Sequence, residues 1–95
     1  MILRRTCIAA VTAAMVMTGA AVANAAVVFV DGGTWNYGTT WTEVWSHYYH
    51  PYFNHGSTAR GSYNVDSGCV GPNSWSYAAA GKQWYETGHS YYRQC

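Results

Sequence analysis

Trp41-Thr-Glu-Val-Trp45-Ser-His47-Tyr48-Tyr49-His50-Pro51-Tyr-Phe-Asn-His55-Gly-Ser57 is the stretch whose reading decides the fold. It holds two Trp, three Tyr, a Phe and three of the chain's four His. Thr39 to Tyr49 is long enough for a helix, but Thr, Val, Trp and Tyr side chains fit a pleated, half-buried surface better than a helical one. Read as a strand with period two, it places Trp41, Glu43, Trp45, His47 and Tyr49 on one face and Thr42, Val44, Ser46 and Tyr48 on the other. Pro51 has no N–H to give a ladder and pushes His50 towards extended or turn geometry. The strand should therefore break at Pro51 and pairing should resume near Gly56 and Ser57.

Upstream, Ala26-Val-Val-Phe-Val30 is a β-branched run ended by Asp31-Gly32-Gly33, a strand and a turn. Trp35 and Tyr37 alternate with polar neighbours and share a face, and Gly38 marks a turn or a bulge. Downstream, Ser57 to Val65 alternates Ala59, Gly61, Tyr63 and Val65 against Thr58, Arg60, Ser62 and Asn64, a single half-buried strand. Turns follow at Asp66 to Gly68 and Gly71 to Asn73. Trp75 to Ala80 reads as strand over helix, Gln83 to Thr87 as strand, and Ser90 to Cys95 as the last strand. About six short strands with Gly-rich turns describe a small all-β antiparallel sandwich or barrel.

The first quarter of the chain belongs to export. Arg4 and Arg5 precede a small, apolar run from Thr6 to Val22, and Ala23-Asn24-Ala25 is a small-x-small cleavage site. Residues 1–25 therefore read as a cleaved secretory signal peptide, leaving one mature domain over 26–95 in an extracellular setting. That domain contains every Trp, Tyr and Phe of the sequence. Its charges are Arg60, Lys82 and Arg93 against Asp31, Glu43, Asp66 and Glu86, a net of −1 with neutral His. So few cations give no electrostatic footprint for nucleic acid or for lysis of anionic membranes. Cys69 and Cys95 are an even count in an oxidising compartment, so a disulfide is expected, contributing about 3–4 kcal/mol on the chain-entropy model.

Catalysis and metal binding find little support. The acids are scattered singly, there is no Gly-x-Ser-x-Gly, and no nucleophile has a base and an orienting partner in one motif. His47, His50 and His55 straddle a proline with no carboxylate among them, and His47 and His50 would face opposite sides of a strand. No enzyme, cofactor or metal is expected. What remains is a surplus of rings, more than a core this small can enclose, so a set of them is expected at the surface.

Five segments carry a resemblance: Gly32-Gly-Thr-Trp-Asn-Tyr-Gly38, Trp45-Ser-His-Tyr-Tyr-His50, His55-Gly-Ser-Thr-Ala59, Trp75-Ser-Tyr-Ala-Ala79 and Tyr91-Tyr-Arg-Gln-Cys95. Their ordered set resembles the lactococcin 972 family of secreted bacteriocins. The resemblance implies a β-sandwich exported through a signal peptide and accompanied by dedicated ABC-type export or immunity membrane proteins. It also implies inhibition of related Gram-positive bacteria by binding the cell-wall precursor lipid II and blocking septum formation, without pores. A homodimer is left open. The expected target-binding set is Trp35, Tyr37, Trp41, Trp45, Tyr48, Tyr49, His50, His55, Ser57 and Arg60. The alternative is a non-toxic secreted module that binds cell-wall glycan or a surface protein through the same rings.

Overall fold

The structure, a computed structural model, describes residues 22–95. The expected signal peptide lies outside the described residues except for its last four, which begin the first strand. Seven strands form two antiparallel sheets: β1 (Val22–Val30), β2 (Gly33–Thr40), β3 (Glu43–His50), β4 (His55–Arg60), β5 (Asn64–Asp66), β6 (Ser74–Gly81) and β7 (His89–Gln94). The larger sheet runs β1-β2-β3-β6 and the smaller β5-β4-β7. The sandwich foreseen from the strand pattern is the fold, with seven strands in place of about six.

Local chemistry sets the connections. Asp31 and Gly32 both have positive φ, 52° and 82°. They form the two-residue turn that an Asp-Gly pair favours between strands of right-handed twist. At Pro51 the chain leaves the larger sheet, and the buried His50 ring receives it: Nδ1 accepts the N–H groups of Tyr52 and Phe53, both at 3.1 Å. Loops 67–73 and 82–88 make the other two crossings between sheets. The disulfide joins Cys69 in the first of these loops to Cys95, so the end of β7 is fixed to the middle of the chain.

Four expectations need correction. The strand read from Thr39 to Tyr49 is interrupted at Trp41 and Thr42, because Thr40 Oγ1 accepts the N–H groups of Thr42 and Glu43 and turns the chain there. Gly38 is neither turn nor bulge but sits in register opposite Trp45. The strand read from Ser57 to Val65 is a hairpin, β4 and β5, folded at 61–63. Gly61 is needed there because a Cβ would lie 2.3 Å from the Gly81 carbonyl oxygen. Gln83 to Thr87 is a loop, since Lys82 Nζ donates to the carbonyls of Trp41, Gln83 and Glu86 and gathers the chain around its ammonium.

The interior is small and half polar. Val44, Tyr48, Ala59, Ala78 and Ala80 are its buried hydrophobic residues, and Ser46, His50, His55, Ser57 and Ser76 are buried with them. Each of these polar side chains has a partner, as burial requires. Ser76 Oγ donates to the Tyr48 carbonyl (3.1 Å) and lies 2.9 Å from Ser57 Oγ. Ser46 Oγ donates to the Tyr91 carbonyl (2.8 Å) and accepts Trp35 Nε1–H (2.9 Å). Tyr48 donates its hydroxyl to the Val30 carbonyl at 2.9 Å. Burial first, and then the Asp31 charge, push its phenol above the usual value. Alanine and serine at facing positions let the sheets approach closely, which leaves room for few rings.

Candidate functional site

The two outer faces of the sandwich differ in chemistry. On the smaller sheet the outward positions are Gly56, Thr58 and Arg60 of β4, Asn64 and Asp66 of β5, and His89, Tyr91 and Arg93 of β7, by the alternation of the paired strands. Arg93 crosses over Gly56 to pair with Asp66 through both carboxylate oxygens. A Cβ at Gly56 would meet the guanidinium at 2.8 Å, so the glycine keeps this crossing open. The Arg93 hydrogen bond, then that of Thr58, holds the Asp66 carboxyl far below the usual carboxylate range. This face is polar and ion-paired.

The outward face of the larger sheet is built from rings. Registered rows run Phe29, Thr34, Tyr49, Trp75; then Val27, Asn36, His47, Tyr77; then Gly38, Trp45, Ala79. Tyr49 and Trp75 have ring centroids 5.5 Å apart, His47 and Tyr77 4.8 Å, and Trp75 and Tyr77 6.4 Å. Phe29 is 86% exposed and Tyr77 62%. Trp45 Nε1 donates to Asn36 Oδ1 at 3.0 Å, and the Tyr49 hydroxyl donates to Asn73 Oδ1, so two of the rings are fixed by amide partners. Burial lowers His47 from its ordinary value, which keeps that imidazole neutral at pH 7. Among these rows there is no charged residue; Glu43 stands at the end of β3. The surface is an array of aromatic rings, two of them held by amide partners, edged by amide and hydroxyl groups, suited to covering a ligand with both apolar and hydrogen-bonding parts.

The expected site residues are dispersed over the molecule. Trp45 and Tyr49 lie on the ring face. Tyr48, His50, His55 and Ser57 are buried between the sheets, so their side chains serve the interior and cannot touch a ligand. His50 Nε2 lies 3.0 Å from the Asp31 carbonyl, and His55 Nδ1 and Nε2 each lie 2.7 Å from the carbonyls of Phe53 and Ser74. Trp35 and Tyr37 stack at 4.0 Å on the inward flank, with Tyr92 4.8 Å from Trp35. Trp41 caps one end of the sandwich, and Arg60 belongs to the opposite, polar face. Val27, Phe29, His47, Trp75 and Tyr77, outside the expected set, complete the ring face. The alternation Trp75, Tyr77 against Ser76, Ala78 was legible; the pairing of β6 with β3, which places those rings beside Tyr49 and His47, was not.

No group of three or more His, Cys, Asp or Glu side chains converges among the described residues. The clefts are shallow, such as that of about 460 Å³ between β2 and the start of β7, lined by Tyr37, Thr39, Val44 and Ser90. Comparison with known proteins gives one family: the model described as Bacteriocin (Lactococcin_972) matches residues 31–92. No curated protein and no solved structure matches the chain.

Proposed function

The chain belongs to the lactococcin 972 family of bacteriocins, and from that premise we propose that it is a secreted antibacterial protein that binds the cell-wall precursor lipid II through the ring face of its larger sheet. The observation that carries this reading is the asymmetry of the two faces. One spends its positions on the Arg93–Asp66 pair, Thr58, Arg60 and Asn64, with Tyr91 and His89 its only rings, whereas the other presents Phe29, Tyr49, Trp75, His47 and Tyr77 in registered rows without a charge among them. A sugar ring offers apolar C–H faces and hydroxyl edges, which match aromatic planes bordered by Asn36, Thr34 and Asn73. Arg60 stands on the other face and takes no part in this contact. Blocking of the septum without pore formation then follows from withholding a building block.

Mature protein should inhibit a Gram-positive lawn, and added lipid II should relieve that inhibition. Phe29→Ala and Tyr77→Ala, both at exposed outward positions, should leave thermal unfolding within about 0.5 kcal/mol of the parent while lowering killing at least tenfold. Killing unchanged in both variants sinks the assignment of this face. The same ladder of rings favours a second reading, a non-toxic module that binds cell-wall glycan. Capture on insoluble peptidoglycan with no growth inhibition on a broad panel would select it.

A further inference from the structure

We propose that one end of the sandwich, the tip formed by the loops 41–42, 61–63 and 82–88, docks into the headgroup region of a lipid bilayer. The topology gathers these three loops. Glu43 pairs with Gly81 and Arg60 with His89, so the β2–β3, β4–β5 and β6–β7 connections all emerge at the same end. They carry Trp41 (53% exposed), Tyr63 (58%), Trp84 (69%) and Tyr85 (68%). Trp and Tyr, with an apolar body and one polar tip, are the side chains that favour a membrane–water interface.

The backbone of the tip is prepared for poor hydration. Lys82 Nζ places its donors on the carbonyls of Trp41, Gln83 and Glu86 at 3.3, 3.2 and 2.9 Å. Thr40 Oγ1 accepts two N–H groups, and Glu86 Oε1 accepts the Gln83 N–H at 2.7 Å and the Ser62 hydroxyl. The Gly81 N–H meets the Tyr63 hydroxyl, the Ser62 N–H meets the Gly81 carbonyl and the Lys82 N–H meets the Thr42 carbonyl. Each polar group paired within the tip is one that loses little when water thins out around it. The same bonds fix the loops to one another, so the rings project from a preorganised platform.

Charge separates this end from the other. Arg60 and Lys82 balance Glu43 and Glu86 at the tip, whereas the opposite end, with Tyr52 and Phe53, holds Asp31 beside the already paired Asp66 and Arg93. A neutral tip fits a zwitterionic surface and has no need of anionic lipid. Seated this way, the strands rise from the bilayer and the ring face stands beside it, with Trp45 nearest the lipid.

Vesicles of phosphatidylcholine alone, and vesicles containing one-third phosphatidylglycerol, test this without any cell-wall precursor, so the outcome is independent of the lipid II reading. Mature protein should sediment with both to a similar extent at 0.1 and 0.5 M salt, and lipid brominated near the headgroup should quench its tryptophan emission. Trp84→Ser should weaken the partition about tenfold, and Tyr85→Ser should act in the same direction. Thermal unfolding of each should be unchanged, because these side chains are exposed. Failure to sediment with either vesicle overturns the proposal. So does binding that requires phosphatidylglycerol and vanishes in salt, or binding lost in Tyr77→Ala but kept in both tip variants.

Discussion

Removing the disulfide is the sharpest test of how this thin-cored domain stays folded. Cys69 and Cys95 are 26 residues apart. Closing a loop of that length removes about 12 cal/mol/K from the unfolded chain, or about 3.5 kcal/mol at 25 °C. Both cysteines are exposed, so replacing them with serine costs little buried surface. In the folded state the end of β7 keeps other ties: the Cys95 N–H donates to the Asn54 carbonyl at 2.9 Å, Gln94 Nε2 to the Asp31 carbonyl at 3.1 Å, and the ladder from His55–Gln94 to Arg60–His89 is untouched. The loss therefore falls on the unfolded state. Cys69→Ser with Cys95→Ser should lower the unfolding free energy by about 3.5 kcal/mol and Tm by about 14–28 °C for a domain of this size. Equilibrium urea denaturation of the oxidised protein, the reduced protein and the double variant measures it. The last two should coincide, with a somewhat larger m-value from the released chain. A double variant within about 1 kcal/mol of the oxidised protein would refute the reasoning.

Three further outcomes follow from individual contacts. Tyr48→Phe keeps the buried ring but removes the hydroxyl bond to the Val30 carbonyl, and should cost about 1 kcal/mol in the same denaturation assay, with no change in m. Gly33→Ala places a Cβ 2.3 Å from the Tyr49 carbonyl oxygen and 2.8 Å from the Tyr48 ring, and should destabilise by about 3 kcal/mol or more, read as a fall in Tm. The Asp66 carboxyl is depressed in the fold, so its contribution is present above the unfolded carboxylate value of about 4 and fades as pH falls below it. Because the pair with Arg93 is open to water, that fade amounts to less than about 1 kcal/mol, and Asp66→Asn should abolish it between pH 5 and 2.

The sandwich was legible because strand propensity and turn chemistry agreed over most of the chain. Asp31-Gly32, Pro51 and Asn73 lie in connections, and β3, β6 and β7 follow their alternating pattern. Two of the four errors fall where a side chain overrides a local preference. Thr40 caps a turn through residues with good strand propensity, and Lys82 gathers carbonyls from a segment that would otherwise extend. Neither bond can be read from spacing. The two faces of β3 were separated correctly, but which of them turns inward was not read; Val44, Ser46 and Tyr48 do, and the expected site scattered because it was drawn from a continuous stretch. A strand sends half its residues to each side, so the residues around Tyr48 necessarily divide between interior and surface. The companions of Trp45 and Tyr49 come from β1, through the consecutive hairpins β1–β2–β3, and from β6, which returns to the larger sheet only after the crossings at 51–54 and 67–73.

Why the rings lie outside has a physical answer in the interior. With Ser46, Ser57, Ser76, Ala59, Ala78 and Ala80 at facing positions, the sheets meet over small side chains, and among the described residues Tyr48 is the only Trp, Tyr or Phe that is fully buried. Replacing those serines and alanines with Leu or Phe would give a deeper core, worth about 1.5–3 kcal/mol per buried side chain. The chain instead stabilises itself with hydrogen-bonded serines, two backbone-linked histidines and a disulfide, and leaves Phe29, Tyr77, Trp84 and Tyr85 largely in water. Exposed rings at these positions add almost nothing to folding. Along β1, where Ala25 to Val30 has no charge and no proline, they also invite edge-to-edge association. A composition that gives up core stability and accepts that hazard makes sense when the rings have a ligand. Their division between a sheet face and a loop tip fits the two contacts proposed above, one with a cell-wall building block and one with the bilayer beneath it.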